Sequence, residues 1–184
     1  IKEVVNEGAS PEDIAVLVRT YSLSVSIELE LHHHGIPYFV YGRPPLTRIP
    51  EISALVGVLQ LASGRWNKLG EDEVNYIIRS LLQRPALYLD KVAIDRVVQD
   101  ASRAPEHLSK VIRSVITPQT KEFHADQIRD RADLLDIIGT TTEPDSKVIE
   151  VLDLYLSGTN FEKMIAKQSP TAEMAEAILA NVAA

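Results

Sequence analysis

The chain of 184 residues contains no cysteine, which excludes disulfide staples, thiolate-held metals and thiol nucleophiles and makes a reducing, cytoplasmic setting the natural one. Aromatic residues make up only 5%, and the sequence shows no regular interleaving of rings with cations of the kind that tracks a nucleic-acid strand. Long apolar runs are missing too. The stretch from Ile52 to Ala62 is broken by Ser53 and Gln60 and is far too short to cross a bilayer, so no membrane partner is expected. No basic-then-apolar leader opens the chain. It starts at Ile1 inside an amphipathic pattern, which reads as an excised piece of a longer protein. The phosphate cradle Gly-x-x-x-x-Gly-Lys-Ser/Thr is absent, and the eight glycines are scattered. Phosphoryl transfer needs that cradle or its equivalent, so no ATP hydrolysis is expected of this chain by itself. No nucleophile, base and orienting group form a legible constellation either.

What is present suits a folded core, with 45% hydrophobic and 24% charged residues. The net charge of -7 argues against a strongly basic nucleic-acid binder, but its distribution is uneven. Residues 1–40 carry two basic and six acidic groups, residues 41–121 twelve and eight, and residues 122–184 five and twelve. A contact to phosphates would use the middle, at net +4, because backbone binding depends on local lysine and arginine density. Ordinary fluctuation of surface charge explains the same pattern equally well.

The first forty residues have a rhythm of their own. Ile1 to Glu7 reads as the end of a helix stopped by Gly8, and Ser10-Pro11-Glu12-Asp13 as a turn. Ile14-Ala15-Val16-Leu17-Val18 is a β-branched run suited to a strand buried on both faces. A helix is expected from about Ser22 to His34, ended by Gly35, and Pro37-Tyr38-Phe39-Val40-Tyr41 reads as a second strand. The expectation is therefore an α/β piece, strand-helix-strand, over residues 1–42, in a parallel sheet with a right-handed connection. After Gly42 the strand signal stops, and Arg43-Pro44-Pro45 reads as a linker and candidate hinge. Residues 43–184 are then a mainly helical domain, making the whole predominantly α. Helices are expected over about Ile49–Ala62, Glu71–Leu82, Asp90–Ser102, Pro105–Ile116, Lys121–Ile138, Ser146–Leu156, Asn160–Lys167 and Thr171–Ala183. Pro50 and Pro105 fit first turns, and Asp90, Asp145 or Ser146, and Ser169 fit caps.

Several clusters invite chemistry. In His32-His33-His34, consecutive helical side chains point about 100° apart and cannot converge on one metal; imidazoles in a last turn complement the helix dipole instead. Glu71-Asp72-Glu73 could gather magnesium but suits the first turn of a helix. Arg129-Asp130-Arg131, with Asp126 and Asp133, reads as an exposed face of intrahelical pairs. Trp66 and Tyr88, near Arg65, Lys68, Arg84 and Lys91, could stack on bases or pack against protein.

One run of residues carries more. Ile14 to Thr20, the acidic helix with Glu28, Gly35-Ile36-Pro37-Tyr38, Tyr41-Gly42, Pro45-Leu46-Thr47-Arg48, Glu51-Ile52 and Leu59-Gln60-Leu61 together resemble the stretch of UvrD/Rep/PcrA-like superfamily 1 DNA helicases that leaves subdomain 2A and enters 2B. A weaker likeness to the closing helices of 2B lies in Gly158 to Ile165, Ser169-Pro170 and the helix reaching Asn181. The resemblance implies that residues 1–42 are part of 2A and residues 43–184 most of 2B. It implies a non-catalytic accessory region of an ATP-dependent 3′-to-5′ DNA helicase active in repair or replication, with ATP and magnesium bound by the parent and none here. Single-stranded DNA and a duplex junction would be the partners. Arg19 falls near the single-strand track in this comparison; an ion pair with a neighbouring helix is the competing role. The family's Gly-Ile-Gly turn, which grips duplex backbone, corresponds to Arg84 to Lys91, where no glycine stands. Arg84, Tyr88 and Lys91 are the candidate contacts there. Where relatives place a second arginine after Arg19, this chain has Tyr21 and Val25. The alternative is a protein-interaction module of a repair or replication machine that never touches nucleic acid.

Overall fold

The computed structural model describes residues 1–20, 23–42, 44–45, 48–140 and 148–168. Among these the regular elements are helices: α1 (Lys2–Asn6), α2 (Ser24–His33), α3 (Pro50–Ser63), α4 (Glu71–Gln83), α5 (Lys91–Ala101), α6 (Leu108–Arg113), α7 (Glu122–Thr140), α8 (Val148–Thr159) and α9 (Phe161–Gln168).

The expected α/β unit is not formed. Among the described residues the β pairing consists of one isolated bridge, Gln83 with Ala86, and no sheet. Ile14 does have an extended backbone (φ -109°, ψ 122°), as its β-branched neighbourhood favours. A strand, however, is defined by a ladder partner, and the described residues form no ladder with these runs. Leu17 is 94% exposed, and Phe39 and Tyr41 also face solvent, so these runs are not buried on either face. Local propensity set the backbone angles; pairing over long sequence distance is what propensity cannot supply.

The helices from α3 onward share one core. Its buried members among the described residues begin at Ala54 and run to Ile165, and no described residue of 1–42 is among them. Pro50 occupies the first turn of α3, where a missing N–H costs nothing, and Gly64 ends the helix with a left-handed φ of 63°. Gly57 lets α3 lie closely on α4: a Cβ there would stand 2.7 Å from Ile77 Cγ2 and from Leu81 Cδ1. α4 contributes Val74, Ile77, Ile78, Leu81 and Leu82 on one stripe. α3 also packs on α7 and α8, while α5 and α6 extend the layer from α4 round to α7. Tyr155 and Phe161 are fully buried and close the core from the side of α8 and α9. Each such side chain stabilises by roughly 1.5–3 kcal/mol through removal from water.

Capping sets the element ends. The Asp90 carboxylate accepts from Ala93 N–H at 2.7 Å and starts α5. The helix expected over Pro105–Ile116 is divided: Pro105–His107 winds as a tighter 3₁₀ turn and α6 proper ends at Arg113. Beyond it, a side-chain-closed turn, Thr117 N–H to Thr120 Oγ1 at 2.9 Å, leads into α7. The expected beginning of α8 at Ser146, its caps Asp145 or Ser146, the cap Ser169, the helix over Thr171–Ala183, the first residue Ser22 of the helix ending at His34, and Arg43 of the linker lie outside the described residues. Just after the linker, Arg48 N–H bonds Pro45 O at 2.8 Å and Tyr76 Oη donates to Arg48 O at 2.5 Å. These bonds tie the entry of α3 to α4.

Candidate nucleic-acid interface

The turn between α4 and α5, residues 84–90, is held in place from several sides. Leu87 is buried and its N–H bonds Leu82 O at 2.9 Å, so the turn is anchored in the core. The Arg84–Pro85 peptide is cis, and Tyr88, the residue after the anchor, has a left-handed φ of 54°. That conformation is uncommon for any residue with a Cβ and is found where surrounding contacts impose it.

The contacts come largely from one buried cation. Arg131, on α7, is 8% exposed, and its Nη1 lies 3.1 Å from Leu81 O and 3.2 Å from Pro85 O. The same guanidinium sits over the Tyr155 ring, 5.5 Å from its centroid, and Tyr155 Oη donates to Arg84 O at 2.7 Å. Burial pushes the Tyr155 hydroxyl above its usual range, and the Arg131 charge opposes this without reversing it. The phenol therefore stays protonated and keeps its donor. Three carbonyls around the turn, at Leu81, Arg84 and Pro85, thus find partners on α7 and α8, as buried carbonyls must. No carboxylate among the described residues pairs with Arg131. The surface role expected from the Arg-Asp-Arg string holds for Arg129, which bonds Asp126 at 2.7 Å, and fails for Arg131. The signal available in the sequence was the helical spacing of Ile128, Arg131, Ala132 and Leu135, which puts the arginine on the apolar stripe.

The candidate contact residues separate accordingly. Arg84 Nε bonds Glu51 Oε1 at 2.7 Å with both side chains largely covered, so it fastens the turn to α3 instead of offering its charge. Tyr88 projects outward, 66% exposed, with its ring stacked on His124 at a centroid separation of 6.2 Å and an interplanar angle of 16°. Lys91, at the first position of α5, is exposed beside it. Arg19 is exposed at a bend beyond the extended segment, and no hydrogen bond or ion pair among the described residues joins it to the turn. Trp66 belongs to the core and is not available for stacking. Pro44 is exposed and Pro45 half-buried.

The other clusters are structural. Glu71, Asp72 and Glu73 form the first turn of α4. His34 reaches Glu30 at 3.5 Å within α2. On α6, Arg113 bridges Asp133 at 2.5 Å and Asp136 at 2.6 Å on α7, and Ser109 Oγ donates to the same Asp136. Among the described residues no three His, Asp or Glu side chains gather to hold a metal, and no helix is long and apolar enough to cross a membrane.

Comparison with known proteins adds one likeness. Over 129 residues the chain is 31% identical to "Putative ATP-dependent DNA helicase YjcD" of Bacillus subtilis (strain 168), a match covering 70% of this chain. The stretch is helicase-related. This helicase-related chain spans about 16% of the length of that relative. No family model matches it, and no solved structure does.

Proposed function

We propose that the chain is a non-catalytic accessory region of an ATP-dependent DNA helicase of the UvrD/Rep type, touching DNA through the turn between α4 and α5. In this reading residues 1–42 belong to subdomain 2A and residues 43–184 to subdomain 2B, with Arg43, Pro44 and Pro45 as the hinge between them. ATP, magnesium and the 3′-to-5′ polarity belong to the parent enzyme. The observation that carries the reading is the braced turn. Arg131, Tyr155 and Arg84 spend their polar atoms immobilising it, while Tyr88 and Lys91 are left facing outward. A rigid support under exposed contact groups lowers the ordering cost of binding. The likeness to a protein named as a DNA helicase supports nucleic acid as the partner.

Phosphate contact is salt-dependent because it releases counterions. Titrating a labelled duplex junction with the chain at two salt concentrations should show affinity falling steeply as salt rises. Lys91→Ala should lower the slope of log affinity against log salt by about one. A slope that Lys91→Ala leaves unaltered removes this residue from the interface. In the whole helicase, Arg19→Ala should weaken single-strand affinity in the same salt-sensitive way.

A second reading, a module that binds protein alone, is favoured by the apolar side chains of residues 1–42 that face solvent, Leu17, Phe39 and Tyr41. It requires no DNA affinity at any salt concentration, and the same titration decides it.

A further inference from the structure

Beside the braced turn lies a cleft of about 360 Å³, within the range of about 300–1,000 Å³ usual for small-ligand sites. One wall is Tyr88 and the first turns of α5, with Val92 and Arg96; the other is the α6–α7 connection, with Thr117 and Thr120, and His124 in the first turn of α7. We propose that this cleft receives a single unpaired nucleobase, stacked on the Tyr88–His124 pair, from DNA whose phosphates lie along Lys91 and Arg96. The proposal rests on the reading of the turn as a DNA contact and adds to it a site for a base.

Three features point to a planar, anion-linked ligand. Tyr88 and His124 stack on each other within 16° of parallel and Tyr88 is 66% exposed, so its outer face offers a flat heterocycle a third place in the stack, and stacking accepts any base because every base has such a face. Val92, 78% exposed at the cleft edge, offers an apolar flank that gains by being covered. Cations reach the mouth: Lys91 is exposed between the lining residues Asp90 and Val92, and Arg96 meets Asp100 only at 3.7 Å with both half-open to solvent, while Asp90, still charged, is turned toward the Ala93 N–H of α5. The left-handed backbone at Tyr88 is the kind of local strain kept where a side chain must be aimed. An extended peptide fits less well, since the described residues offer no sheet edge to extend.

The test uses the whole chain and two junctions that differ only in the bases of a short oligothymidylate tail. In one the tail is intact; in the other it is abasic, with every phosphate kept. Fluorescence anisotropy should show the intact tail binding about 5- to 150-fold more tightly, the effect expected of one stacked base. Tyr88→Asn removes the ring while tolerating the left-handed backbone and should abolish the difference between the tails. As a readout that needs no variant, the assigned ring-proton resonances of His124 should shift with oligothymidylate and stay unmoved with the abasic strand. Equal affinity for the two tails with salt-dependent binding intact overturns the cleft proposal and leaves the DNA reading standing, and that is also the result if the cleft takes a peptide side chain. Binding to neither junction overturns both.

Discussion

Arg131 concentrates more of this chain's stability than its place in a charged string suggests. Its guanidinium reaches Leu81 O, Pro85 O and the Tyr155 ring at once, so truncating it to Met leaves buried carbonyls without donors. An unsatisfied buried polar group costs about 1–3 kcal/mol, and Arg131→Met should lower unfolding free energy by roughly 2–4 kcal/mol in urea titration, with two carbonyls affected. Tyr155→Phe removes one donor and should cost about 1–2 kcal/mol. Because the two side chains serve adjacent carbonyls, the double variant should lose less than the two single losses together. Strict additivity would mean that they act independently. Asp136 makes a further residue-scale point. Burial raises its pKa, and the hydrogen bonds from Ser109 and Arg113, helped by the Arg113 and Lys110 charges, more than offset this, leaving it below the ordinary carboxylate range. The sign follows directly: a depressed folded value means stabilisation that is complete above the unfolded value near 3.9 and lost as pH falls through the folded one. Thermal melts should therefore show stability falling on acidification through that range, and Asp136→Asn should flatten the slope. The group is half exposed, so the effect is modest.

At the scale of elements, the boundary between α3 and α4 is set by a missing methyl group. Alanine in place of Gly57 gains up to about 1 kcal/mol of helix propensity, yet its Cβ would press within 2.7 Å of Ile77 and Leu81, both buried in the core. Overpacking costs about 1–3 kcal/mol, so the steric term wins and Gly57→Ala should lower the Tm. A rise in Tm would show that α3 can shift along α4. Helix ends were legible wherever the signal is local: Pro50 in a first turn and Asp90 as a cap. The split of Pro105–Ile116 was not, because nothing in its apolar spacing distinguishes a 3₁₀ turn from an α turn. The composition of Ile14–Val18 and Pro37–Tyr41 suits paired strands, but a ladder depends on a partner whose presence composition does not reveal. Within the candidate site, the exposure of Lys91 agrees with its place beside Asp90, whereas Tyr88 is exposed although it stands between Leu87 and Leu89, and the commitment of Arg84 to Glu51 spans 33 positions and leaves no local trace.

For the molecule as a whole, the common core begins at Ala54 and includes none of the described residues of 1–42. A chain starting at residue 43 should therefore unfold with nearly the same Tm as the full one, by calorimetry, and a large drop would show that residues 1–42 brace the helices.

The brace beneath Tyr88 also has a consequence in time. Its donors stand 50 and 71 positions after the carbonyls of Leu81 and Arg84 that they satisfy. During synthesis, which runs from the amino end, the loop leaves the ribosome long before α8 does. Nascent chains halted short of Arg131 therefore carry a loop held only by Leu87 and the Arg84–Glu51 pair, and more open to proteases until α7 and α8 have been made.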